Sequence, residues 1–256
     1  MEYVEIQGER VAKIGLGTWN MRGQACYRAT LSALELGYRH IDTAEMYGNE
    51  SEVGRAIADS GVDRSELFLV TKVSGSHLSH SGVLQAAESS LQRLSLQSID
   101  LYLVHWPNDR IPIEGTMAGM NELVENGKVR RIGVSNFSVR QLEQAEAYAR
   151  IFANQIEYYI GHPQESMLQY CQENGILLTA YSPLNRGHVG RNQALEATAD
   201  AHGVTAAQVA LRWLIQQENV VAIPKSEHPG RQRENLDVFG FELSSDQIAQ
   251  LASAHR

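Results

Sequence analysis

The chain has 256 residues, 43% hydrophobic and 20% charged, a balance that supports a sizeable folded core and excludes a disordered chain. A formal net charge of −8 disfavours nucleic acid and anionic membranes as partners, because a surplus of carboxylates repels phosphate. Runs of strand character then recur eight times: Ile14 to Thr18, Tyr38 to Asp42, Leu67 to Val73, Ile99 to Val104, Arg131 to Val134, Ala153 to Ile156, Leu177 to Tyr181 and Val220 to Ile223. Segments with helical periodicity separate them. Val83 to Leu94 is one, with Val83, Leu84, Ala87, Leu91 and Leu94 on one apolar stripe.

Several helix ends are marked. Ser138 with Gln141 three residues on predicts a capped N-terminus, and Gly37, Gly127 and Gly175 stand where left-handed caps belong. Short strands alternating with helices imply parallel pairing, since parallel neighbours need a crossover connection. Eight such units predict a single (β/α)₈ TIM barrel over 1–256, a size ordinary for that fold. A doubly wound open sheet would show a glycine-rich turn after its first strand, but Gly15-Leu16-Gly17 is followed by Thr18-Trp19-Asn20 without the third glycine.

Cys26 and Cys171 lie far apart without metal-binding or redox spacing and are expected to be reduced packing residues. No apolar run approaches the ~20 residues of a membrane span, and the first residues carry no secretory pattern, so a cytoplasmic protein is expected. A monomer or weak homo-oligomer is expected too.

In a parallel barrel the residues just past each strand meet at one rim. Here they are Trp19, Asp42, Tyr47, Lys72, His105, Ser135, Asn136, Gln155, Tyr181, Lys225 and Ser226, a set rich in proton-handling groups. Lys72 follows apolar neighbours and needs a counter-charge, for which Asp42 is the candidate. A lysine beside a phenol is expected to lower the tyrosine pKa, making Tyr47 a candidate general acid. His105 can donate a hydrogen bond to a carbonyl oxygen. The histidines His40, His77, His80, His188, His202 and His255 have no such placement and read as structural or solvated.

The motifs GLGTW, IDTAEMYGNESEVG, LFLVTK, DLYLVHWP, GKVRRIGVSNF, NQIEYY, YSPL and IPKS occur in the order found in aldo-keto reductases, and the chain resembles that family from end to end. It is most similar in pattern to the bacterial, short-loop members that reduce aldehydes and 2,5-diketo-gluconate. The resemblance implies a catalytic tetrad of Asp42, Tyr47, Lys72 and His105, with tyrosine as proton donor. It also implies an NADP(H) site. Thr18, Trp19 and Asp42 would contribute, Ser135, Asn136 and Gln155 would hold the nicotinamide carboxamide, and Tyr181 would stack on its ring, followed by Ser182, Pro183 and Leu184. Ile223, Lys225, Ser226, Arg231, Glu234 and Asn235 stand at the family's spacing for adenosine-phosphate contacts.

Pro229 suits the first turn of a helix whose free amides favour phosphate, and Lys225 with Arg231 can neutralise a 2′-phosphate, which favours NADPH over NADH. Trp19, Tyr47, His105 and Trp106 would meet substrate, and no metal-binding motif is present. Tyr158-Tyr159-Ile160-Gly161-His162-Pro163 departs from the family pattern, in which His-Pro follows more directly. Short loops after Trp106 and Leu184, and the lack of a long C-terminal loop, predict an open mouth suited to small aldehydes, dicarbonyls and keto-sugars. Two other functions fit the barrel: a Schiff-base aldolase using Lys72, and an NADP-binding regulatory or sensor barrel with little turnover.

Overall fold

The computed structural model describes residues 1–188 and 193–253. Eight strands form one parallel sheet in sequence order: β3 (Leu16–Gly17), β4 (His40–Asp42), β5 (Phe68–Val73), β6 (Ile99–Val104), β7 (Val129–Ser135), β8 (Ala153–Glu157), β9 (Leu177–Tyr181) and β10 (Val220–Ala222). The sheet closes on itself where Ile14 bridges Ala222 in parallel, with Gly15 N–H donating to Ala222 O at 2.9 Å and Ala222 N–H to Lys13 O at 2.9 Å. The result is the (β/α)₈ barrel that the eight apolar runs predict. Four strand estimates are too long, since regular pairing covers only Leu16–Gly17, His40–Asp42, Phe68–Val73 and Val220–Ala222, and two are too short, since β7 runs Val129–Ser135 and β8 Ala153–Glu157.

Helices α1 (Gly23–Glu35), α2 (Glu50–Asp59), α3 (His80–Leu94), α4 (Ile113–Glu125), α5 (Val139–Glu146), α6 (Glu165–Glu173), α7 (Gln193–His202), α8 (Ala206–Ile215), α9 (Pro229–Leu236) and α10 (Ser245–Ser253) surround it. The expected caps form. Ser138 and Gln141 make a reciprocal capping box, and Gly37, Gly127 and Gly175 adopt positive φ. The buried stripe of α3 contains Val83, Ala87, Leu91 and Leu94, and Ser79 caps the helix four residues before that stripe begins. Among the described residues, no helix is long and apolar enough to cross a membrane. His255 lies outside the described residues.

One element escaped the sequence reading. Strands β1 (Tyr3–Ile6) and β2 (Glu9–Ala12) pair as an antiparallel hairpin, turning at Gln7 and Gly8, both at positive φ. Its Val4, Ile6 and Val11 cluster with Phe68, Val70, Leu101, Leu103, Phe152, Ala153, Leu177 and Val221 inside the barrel. Phe68, Phe152 and Leu177 lie at or next to strand starts, so the hairpin stops the N-terminal end. Gln7 fixes the plug by donating to Ile151 O and Gly175 O, each at 3.0 Å. Gly133 is required where β7 passes its neighbours, because a Cβ there would lie 2.5 Å from Ala153 O and 2.8 Å from Leu103 Cδ2.

Candidate active site

Side chains alternate along a strand, so every second residue faces the barrel interior. On β5, Phe68 and Val70 belong to the interior cluster, and Lys72 continues their face one step nearer the C-terminal rim. Leu101 and Leu103 lead to His105 in the same way. On β4, His40 packs edge-on against Phe68 inside the barrel, and Asp42 follows it. Ala153 precedes Gln155. Inward positions at or near the C-terminal ends of three strands, and the inward position one residue past β6, are therefore polar, and they meet.

Lys72 is fully buried, and Asp42 nearly so at 2%. Lys72 Nζ donates to Asp42 Oδ1 at 2.6 Å, to Thr43 O at 2.8 Å and to Tyr47 Oη at 3.5 Å. Burial works against the ammonium, but Asp42 and Tyr47 outweigh it and raise its pKa, so Lys72 is a cation. Asp42 Oδ2 accepts from Gln155 Nε2 at 2.7 Å, leaving both carboxylate oxygens engaged. Removing one member of such a buried pair costs about 3–5 kcal/mol, because the other charge is stranded.

Tyr47 lies on a 3₁₀ turn, Glu45–Tyr47, directly after β4. Its ring meets that of His105 edge-on with centroids 5.5 Å apart. Burial is the largest influence on the phenol and raises its pKa, against the pull of Lys72 and with a further push from Asp42. The expected lowering by Lys72 is therefore outweighed in this structure, and the phenol holds its proton firmly. His105 is depressed to about 3 by burial and then by Lys72, so its ring is neutral near neutral pH. Its Nδ1 is buried without a partner among the described residues. A protonated phenol, a neutral imidazole and a fixed cation thus share one floor.

That floor opens into a cleft of about 1020 Å³. Its wall includes Trp19, Asp42, Tyr47, His105, Trp106, Ser135, Asn136, Gln155 and Tyr181, continues through Ser182, Pro183 and Leu184, and ends at Ile223, Lys225, Ser226, Arg231, Glu234 and Asn235. Trp19 and Trp106 are about half exposed, at 51% and 49%, and flank the mouth. Two expected site residues lie off the wall. Lys72 sits beneath Asp42 and Tyr47, and Thr18 is buried with its hydroxyl donating to Asp42 O at 2.9 Å.

The aldo/keto reductase family profile matches residues 13–256. The chain belongs to that family. It is 42% identical over 256 residues to the 2,5-diketo-D-gluconic acid reductase B of a Corynebacterium species, covering 97% of this chain and 91% of the relative. It is 39% identical over 252 residues to the glyoxal reductase of Bacillus subtilis, covering 97% and 91%. A crystal structure of a putative 2,5-diketo-D-gluconic acid reductase B superposes with a TM-score of 0.97 at 38% identity, covering 100% of this chain and 92% of that one.

Aldo/keto reductases are oxidoreductases that use NAD(P)H, and the cleft's donor set fits an elongated anionic dinucleotide. At one end, Gln155 Oε1 has no partner among the described residues, whereas Asn136 Nδ2 is committed to His105 O and Ser135 Oγ, and Asn136 Oδ1 accepts from Tyr181 Oη at 2.9 Å. At the other end, α9 begins at Pro229, and Arg231 has no ion-pair partner among the described residues. Positive charge at a helix N-terminus opposes the dipole, and a bound phosphate removes that conflict.

The aldo/keto reductase cleft also contains residues that sequence reasoning missed, among them Met46, Arg186, Thr205, Glu227 and His228. Arg186 places its guanidinium 5.5 Å from the Trp19 ring centre. Glu227 holds Lys225 Nζ at 2.7 Å, and His228 caps α9 by accepting from Gly230 N–H. Thr205 had a readable signal: it heads a capping box with Gln208 and donates to Glu234 at 2.6 Å. Glu45 and Asn49 line no cleft wall but brace its floor. Asn49 accepts from Thr43 Oγ1 at 2.7 Å and donates to Thr18 O and Met21 O, each at 3.0 Å, tying the ends of β3 and β4 together.

Proposed function

We propose that this chain is an NADPH-dependent reductase of small aldehydes, dicarbonyls and keto-sugars, with Tyr47 as proton donor. The observation that carries the reading is the buried contact chain from Asp42 through Lys72 to Tyr47, with His105 against the same phenol. Ser135, Asn136, Gln155 and Tyr181 would hold the nicotinamide end, and Lys225, Ser226, Arg231, Glu234 and Asn235 the adenosine-phosphate end. When bound, the cofactor supplies the hydride that reduces the carbonyl carbon.

The protein's own part is the proton and the charge. Neutral His105 donates a hydrogen bond that holds the carbonyl oxygen beside Tyr47, and the phenol protonates that oxygen as negative charge develops on it. The phenolate left behind faces the Lys72 ammonium. Asp42 keeps Lys72 charged, and Gln155 keeps Asp42 oriented. A Schiff-base aldolase needs a neutral amine at Lys72, whereas this lysine carries a raised pKa and three acceptors.

We place the whole chain, 1–256, in one cytoplasmic catalytic domain acting as a monomer or weak homo-oligomer. The test is a panel of glyoxal, short aldehydes, ketones and keto-sugars scored by loss of NADPH fluorescence, with NADH in parallel. Carbonyl-dependent NADPH oxidation is expected. NADPH binding without turnover on any carbonyl would support a sensor barrel instead.

A further inference from the structure

Tyr47 sits on a turn that has little holding it locally. The segment Glu45–Tyr47 is a single 3₁₀ turn, its N-cap Ala44 has no side chain able to cap it, and Met46 is 60% exposed. The turn's own backbone bonds are Tyr47 N–H to Ala44 O at 3.0 Å and Gly48 N–H to Glu45 O at 3.2 Å. Apart from the phenol itself, the side chain in this turn that bonds to another part of the chain, among the described residues, is Glu45. Its Oε1 accepts the Ser74 N–H and lies 3.0 Å from His77 Nδ1. The Glu45 carboxylate is only 10% exposed, whereas the His77 side chain is 55% exposed.

Ser74 is the first residue after β5, two positions past Lys72. The same loop is held from its other side, where Asn108 Nδ2 donates to Gly75 O at 2.8 Å. Asn108 lies three residues past His105. Glu45 and Asn108 therefore link the loops that follow β4, β5 and β6, the three strands that lead to Tyr47, Lys72 and His105. The phenol is 3.5 Å from Lys72 Nζ, at the outer edge of hydrogen bonding, so small movements of the turn decide whether that contact exists.

We infer that Glu45 is a positioning residue for Tyr47: its carboxylate clamps the phenol-bearing turn to the Ser74–His77 loop and so fixes the distance from proton donor to Lys72. This rests on the reading of Tyr47 as proton donor. The charges that act on the phenol are those of Lys72 and Asp42, so Glu45 works through placement and not by tuning the phenol's acidity. Glu45→Gln keeps an oxygen that can accept the Ser74 N–H, and Glu45→Ala keeps nothing.

The experiment compares wild type, Glu45→Ala, Glu45→Gln and Tyr47→Phe. Turnover, KM for the carbonyl, Kd for NADPH by fluorescence, and amide hydrogen exchange of the 44–48 peptide are measured on each. In Glu45→Ala, kcat is expected to fall about 10- to 100-fold with KM and Kd within about twofold, because a misplaced donor loses rate and not binding. Exchange in 44–48 should rise about tenfold in that variant. Glu45→Gln should recover most of both.

Unchanged kcat in Glu45→Ala beside a wild type that depends on Tyr47 would overturn the inference. So would an equal loss of kcat in the Gln and Ala variants with unfolding of both. If wild type itself is inert, the functional reading fails separately, and the exchange data still decide the clamp: unchanged exchange in 44–48 overturns it.

Discussion

His105 shows how one buried side chain sets both a chemical role and a pH limit. Its folded pKa of about 3 lies far below the ~6.5 of an unfolded histidine, so between those values the unfolded chain takes a proton that the folded chain refuses. Stability is therefore lost as pH falls below about 6.5, with a slope of at most about 1.4 kcal/mol per pH unit for each such group. His40, depressed by complete burial, adds a loss of the same sign. His105→Gln should flatten the fall in urea-unfolding free energy between about pH 6.5 and 4.5, and an unchanged slope would contradict the buried, neutral imidazole. The four residues at the floor were legible because each ends or closely follows an apolar run. The rise in the Tyr47 pKa was not, because burial outweighs a neighbouring ammonium by an amount that only three-dimensional packing reveals. Glu45 and Asn49 were silent in sequence for a similar reason: their partners lie up to 32 and 31 residues away.

At the scale of elements, α9 is the piece most directly matched to a phosphate. Pro229 at its first turn, Arg231 with no ion-pair partner among the described residues and Lys225, held by Glu227, at its entrance stand at the positive end of the helix dipole. Arg231→Ala is expected to weaken NADPH binding by about tenfold, the loss of one charge-assisted contact, with little change for NADH. Fluorescence titration with both cofactors checks this, and equal losses would place 2′-phosphate recognition elsewhere. The strands and helices themselves were readable from period and caps. The β1–β2 hairpin was not, because two four-residue strands around Gln7-Gly8 give a short alternating pattern, and no local feature says that Val4, Ile6 and Val11 face a barrel interior.

For the whole molecule, the barrel separates stability from chemistry by putting them at opposite ends. The hairpin stops the N-terminal end, and the cleft opens at the C-terminal rim. Ile6→Ala should cost about 2–5 kcal/mol in urea unfolding while kcat stays within about twofold; a large loss of kcat in a folded variant would show that the two ends are coupled. Closure of the sheet is what brings Asp42, Tyr47, Lys72 and His105, distant in sequence, to one floor. The most direct test of that arrangement is single-turnover reduction of glyoxal by Tyr47→Phe preloaded with NADPH. The account predicts NADPH binding within about twofold of wild type and a hydride-transfer rate lower by about 10²- to 10⁴-fold. A variant that reduces glyoxal at the wild-type rate would show that the proton comes from another group.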